Sequence, residues 1–152
     1  MGLRVEISDA LKVAMREKDK IRLGTLRLIN AAIKDKDIAE RGEGNDSGIS
    51  DDAVLALLGK MVKQRQESAK VYEEGGRLEM AERERDEIGV IEGFLPRQLD
   101  DGEVGAAIDA AIADVGAQSI RDMGKVMGEL KAKFTGQIDF GKVGPMVKDR
   151  LG

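Results

Sequence analysis

A glycine–lysine pair is the first place in this chain to look for chemistry, because a glycine-rich turn and a lysine together can cradle phosphate. The pair occurs in DMGKVMGEL, residues 122–130. A phosphate loop of that kind needs G-x-x-x-x-G-K followed by Ser or Thr, between a strand and a helix. Here Val126 follows Gly124 and Lys125, and no strand pattern precedes them. Met123, Val126, Met127 and Leu130 fall instead at helical spacing, and Gly124 and Gly128 share an adjacent face. The stretch reads as a packed helix, with glycines for close approach and Lys125 pointing outward.

Other reactive groups are few. The chain has no Cys and no His, so thiolate chemistry is excluded and the commonest general base and metal ligand are missing. The acidic stretch GEGNDSGISDD lacks the alternating order and terminal Glu of a calcium loop. Glu84 and Glu87 lie on one side of a helical pattern, and Arg65 lies on the inward side of the helix before it. The Gly75-Gly76 turn makes those two helices antiparallel, which brings Arg65 towards the two acids. An interhelical ion pair that sets register is therefore expected of Arg65, Glu84 and Glu87, rather than acid–base catalysis. No catalytic residue, metal site or cofactor is assigned.

Charge is unevenly distributed. The net charge is −4, yet residues 1–41 hold ten Lys/Arg against seven Asp/Glu, and residues 42–95 hold seven against thirteen. Within 121–152 there are seven bases and four acids. Arg121, Lys125, Lys131, Lys133, Lys142 and Lys148 form the candidate phosphate-contacting set, with Arg150 beside them. Aromatic residues are 3% of the chain, so any RNA contact would read backbone and shape rather than stack on bases. No stretch approaches the roughly 18 apolar residues of a membrane span, and the first twenty residues lack an apolar leader core. A cytoplasmic protein with no membrane association is expected.

The elements that must position these groups are all helical. Leu3, Ile7, Leu11 and Met15 make one stripe; Asp19 caps a second helix carrying Leu23, Leu26, Ile29 and Ile33. Gly24 marks a site of close packing or a weak point in that helix. The stretch 41–50 reads as a mobile loop. Ser50 caps a third helix through Val54, Leu58, Met61, Arg65 and Tyr72, and a fourth runs from about Arg77 through Met80, Glu84, Glu87, Ile88 and Ile91. Pro96 stops it, and PRQLDD reads as a linker. Asp100 with Glu103 then has capping-box spacing, with Val104, Ile108, Ile112 and Val115 behind it and Gly116 as the stop. Ser119 with Asp122 opens the helix of DMGKVMGEL, and Asp139 is a candidate cap for the last one. Pro145 is expected in that helix's first turn, beginning near Gly144. The predicted fold is all-α: a four-helix N-terminal domain over 1–95, then a small three-helix bundle over 96–152.

Several of these segments together resemble the GatB/YqeY-domain family: RLGTLRLINAAIKDKDI, VKQRQES with Tyr72, GGRLEM with Glu84 and Glu87 downstream, GFLPRQL, and DMGKVMGEL with Gly136 and Asp139. They occur in order over nearly the whole chain. Lys63, Arg65, Arg77, Glu84 and Glu87 match family-like polar positions in the first part, and Gly124, Lys125, Gly136 and Asp139 in the second. The sequence departs from the pattern at GKVGPM. The resemblance implies a two-part helical fold related to the tail of the B subunit of glutamyl/aspartyl-tRNA amidotransferase, which helps hold tRNA while other parts carry out the chemistry. It implies a non-catalytic module associated with tRNA or an aminoacyl-tRNA enzyme complex. The alternatives are a component with glutamine-dependent amidotransferase (carbon–nitrogen ligase) activity and a protein-interaction adaptor.

Overall fold

Local capping chemistry sets where the helices begin. The Asp19 carboxylate accepts from the Arg22 N–H, Ser50 Oγ from Ala53 N–H and Asp139 from Gly141 N–H, each satisfying a donor that a helix start leaves unpaired. Asp100 and Glu103 form a full capping box. The computed structural model, which describes residues 2–44 and 48–152, is all-α. It divides into two compact units, Met1–Leu95 and Pro96–Gly152.

The first unit contains α1 (Leu3–Glu17), α2 (Lys20–Gly42), α3 (Asp51–Glu74) and α4 (Leu78–Glu92). Its core gathers Ile7, Leu26, Ile29, Val54, Leu58 and Ile91, all essentially inaccessible, with Ile33 and Met61 beside them. The most extensive packing is between α3 and α4. On α1 the buried line runs through Ile7 to Ala14, and Met15 is 54% exposed. A strict four-residue step drifts by about 40° per repeat on a helix of 3.6 residues per turn. By Met15 that drift has carried the side chain off the core face, whereas Ala14, seven residues after Ile7, stays on it. On α4 the same effect leaves Ala81, rather than Met80, in the core.

Contacts distant in sequence close this unit. The Asp51 carboxylate, in the first turn of α3, accepts from the Leu3 N–H at 3.3 Å and so also caps α1. Asp37 on α2 is ion-paired with Arg4 and accepts from the Ile49 N–H at 2.9 Å; these two bonds hold its carboxyl below the usual range. Part of the expected loop at 41–50, residues 45–47, lies outside the described residues. In the described part, 43–44 and 48–50 are non-helical as expected, but the segment is shorter than read and partly buried. Helix α2 continues to Gly42, Ile49 is buried in the core, and Gly48 adopts a positive φ of 84°. A Cβ at position 48 would meet Arg4 Nη2 at 2.9 Å, but that guanidinium end can shift, so it is the positive φ that favours glycine there. Gly24 is different: a Cβ there would meet nothing within 4 Å, so close packing does not explain it.

The second unit contains α5 (Asp101–Val115), a 3₁₀ turn (Ile120–Asp122), α6 (Met123–Phe134) and α7 (Phe140–Leu151) around Ile108, Val126, Leu130, Val143 and Val147. Ser119 caps the 3₁₀ turn rather than α6 itself. Pro145 lies inside α7, not in its first turn. Two features permit this. Gly144 has no Cβ to clash with the proline ring, and Gly141, whose carbonyl loses its usual donor, is exposed to water. The segment read as a linker is tied in as well. Leu99 N–H donates to Gln137 O at 3.0 Å, and Gln137 Nε2 to Arg97 O at 3.0 Å.

Arg97 grips Glu103 with two parallel bonds, Nη1 to Oε1 at 2.8 Å and Nη2 to Oε2 at 2.7 Å. This grip, with the Asp100 N–H bond, lowers the Glu103 carboxyl from its ordinary 4.5 to about 2. A carboxyl depressed on folding contributes stability above its unfolded value and loses it as pH falls towards the folded one. Glu103→Gln should therefore destabilise the chain at pH 7, with the deficit shrinking between pH 4.5 and about 2. Urea titrations across that range, followed by circular dichroism, measure the difference; a deficit independent of pH would show that the charge contributes nothing.

Candidate functional site

Two surfaces carry the residues singled out by their chemistry, one in each unit. In the second unit all six candidate cations are exposed. Arg121 lies in the 3₁₀ turn, Lys125, Lys131 and Lys133 on α6, and Lys142 and Lys148 on α7. Lys133 is committed elsewhere: its Nζ bonds Glu129 at 2.7 Å and Asp114 at 3.2 Å, which raises its pKa. Arg150 is similarly held by Asp109 at 2.8 Å. Among the described residues the other five have no carboxylate within 4.0 Å, although the Lys125 charge helps lower the Asp122 carboxyl, whose main cause is the Gln118 N–H bond.

Helix geometry separates these lysines in a regular way. Lys125 and Lys131 are six residues apart, hence about 120° apart around α6. The arc between them on the solvent side contains Gly124, Gly128 and Ala132, all exposed. A Cβ at Gly124 or Gly128 would meet nothing within 4 Å, so neither glycine serves helix–helix approach, contrary to the reading from spacing alone. Lys142 and Lys148 are also six apart and flank exposed Gly141 and Pro145, with Asp149 in the same arc. On α6 the result is a low strip bordered by two lysines; on α7 the corresponding arc also carries the Asp149 carboxylate.

In the first unit α2, α3 and α4 enclose an open groove of about 710 Å³. Gln64, Arg65, Ser68 and Tyr72 line it from α3, Met80, Glu84 and Glu87 from α4, and Leu28 from α2. Arg65 Nε donates to Glu87 Oε2 at 3.0 Å, and Arg65 Nη1 to the Met61 carbonyl at 3.2 Å. That second bond aims the guanidinium at Glu87. Arg83 reaches the other Glu87 oxygen at 3.8 Å. Glu84, expected in the same ion pair, has no cation within 4.0 Å among the described residues. The groove itself had no signal in the sequence beyond these charges, because Leu28 joins it from a helix distant along the chain.

Among the described residues no group of three or more metal-ligating side chains comes together. Among the described residues no helix is long and apolar enough to cross a membrane. A family model described as Yqey-like protein matches residues 4–151. The chain belongs to the YqeY-like family. Among its relatives, the protein "Altered inheritance of mitochondria protein 41, mitochondrial" of Lachancea thermotolerans is 32% identical over 105 residues, covering 69% of this chain and 53% of the relative. The protein of that name from Meyerozyma guilliermondii is 31% identical over 90% of this chain and 64% of its own length. That of Pyrenophora tritici-repentis is 25% identical over 93% and 77%. The match to the Lachancea protein spans about half of that protein's length. These names overturn one expectation for this YqeY-like chain. The sequence alone pointed to the cytoplasm, but the relatives are named as mitochondrial proteins, so the cytoplasmic assignment is withdrawn.

Proposed function

We infer that this YqeY-like chain is a non-catalytic module that associates with tRNA, alone or within an aminoacyl-tRNA enzyme complex, through α6 and α7. The observation that carries this reading is the set Arg121, Lys125, Lys131, Lys142 and Lys148, exposed and, among the described residues, without a carboxylate within 4.0 Å. Cations not already paired are the ones that can displace counterions from a phosphate backbone. The low strip between Lys125 and Lys131 lets a backbone approach closely, and the sparse aromatics favour shape over base stacking. The resemblance to the amidotransferase B-subunit tail supports the same reading. A chain with neither His nor Cys also has a narrow choice of acid–base groups.

The test is binding of unacylated tRNA across a salt series. Affinity should fall steeply with salt, and Lys125→Glu with Lys131→Glu should weaken it about tenfold and flatten the slope by about one per lysine. Lys133→Glu should do less, since that amine is already engaged by Glu129 and Asp114. Absence of binding at low salt, or binding indifferent to Lys125 and Lys131, overturns the RNA reading. Glutamine-dependent amide formation by the isolated chain overturns the non-catalytic one.

A further inference from the structure

We propose that the groove of the first unit seats a basic amphipathic helix from a partner protein. The occupant's charge follows from how the groove's own charges are spent. Both arginines in it, Arg65 and Arg83, point at one acid, Glu87, at 3.0 and 3.8 Å. Glu79 and Glu84 line the same groove with no cation within 4.0 Å among the described residues. The uncompensated charge is therefore negative, within a segment holding thirteen acids to seven bases. A phosphate backbone would be repelled there, whereas Lys or Arg would be attracted.

The occupant's shape follows from the walls. Gln64, Ser68 and Tyr72, at four-residue steps on α3, form a ridge with its smallest side chain in the middle. A second depression, with Glu67 and Val71, lies along the other side of the same ridge. One ridge with a groove on each side is the surface into which another helix packs. Leu28 and Met80 at the rim are 48% and 42% exposed, large apolar groups left in water. A helix with apolar residues on one stripe and a lysine beside them would cover both, lay its methylene stem along Met80 and place its amine at Glu84.

A direct test uses the isotope-labelled full chain in NMR titrations with an amphipathic Leu/Lys peptide of about 18 residues, long enough to hold a helix. Saturable 1:1 binding should shift the amides of Gln64, Ser68, Tyr72, Met80 and Glu84. Glu79→Lys with Glu84→Lys should weaken binding at least about tenfold. Asp9→Lys with Glu17→Lys, the same charge change on α1 outside the groove, should leave it within about twofold, as additivity of distant sites implies. Scattered shifts, equal loss in both variants, or no saturable binding overturns the proposal. So do tRNA shifting the same groove amides, and concentration-dependent shifts of these amides without peptide, which would place a second copy there.

Discussion

Arg65→Met is expected to lower the stability of the first unit by about 2–3 kcal/mol, read as a fall in the urea midpoint at unchanged slope. Methionine keeps most of the aliphatic stem, so the loss is electrostatic. The Arg65 and Glu87 side chains are only 14% and 13% exposed. Removing the guanidinium leaves a largely desolvated carboxylate with Arg83 at 3.8 Å as its remaining cation. Breaking a fully buried pair costs about 3–5 kcal/mol; the open groove and Arg83 moderate that figure. Glu87→Gln, which keeps an acceptor for Arg65 Nε, should cost about 1 kcal/mol. The double variant Arg65→Met, Glu87→Met should recover much of the loss, because neither charge is then stranded. A single-variant effect below about 0.5 kcal/mol would show that water screens the pair as it does at a surface.

Features written locally in the chain were legible before the structure. The caps at Asp19, Ser50, Asp100 and Asp139 need only a side-chain oxygen and a free N–H two or three residues on. The core lines through Leu26, Ile29 and Ile33, and through Val126 and Leu130, follow from helical period alone. Legibility failed where a residue's role depends on a distant partner. Asp51 reads as a first-turn acid of α3, and nothing near it indicates that it also caps α1 through Leu3. Likewise Arg97, Gln98 and Leu99 look like a linker until the turn at Gly136 and Gln137 folds back on them.

The two candidate surfaces divide along the same line. That Arg65 and Glu87 meet was readable from the antiparallel turn at Gly75-Gly76, since it needs only two adjacent helices. Which cations remain available was not readable. Glu129 lies one turn from Lys133, but Asp114 reaches it only because α5 packs against α6. Counting charges along a sequence gives a field; deciding which charges can bind requires knowing which are already paired. Lys125 and Lys131 keep their place on that criterion, whereas Lys133 becomes mainly a tie between α5 and α6.

Pro145→Ala is expected to stabilise the second unit by about 2 kcal/mol. A proline inside a helix removes one backbone bond and crowds the preceding turn, at about 3 kcal/mol; the alanine variant gives back up to about 1 kcal/mol through a less restricted unfolded chain. Pro145 is exposed, so the substitution removes no core contact. Gly144 provides an internal check. A Cβ there would meet only Met123 Cε, at an ordinary 3.8 Å. Its glycine is therefore explained by the proline that follows, which disfavours helical backbone in any residue with a Cβ. Gly144→Ala should gain little or nothing while Pro145 is present, and about 1 kcal/mol once position 145 is alanine. The two changes are thus expected to be coupled, although neither residue belongs to the core. A Pro145→Ala chain of equal or lower stability, with Gly144→Ala additive to it, would instead describe a proline in the first turn, where its ring favours the helix.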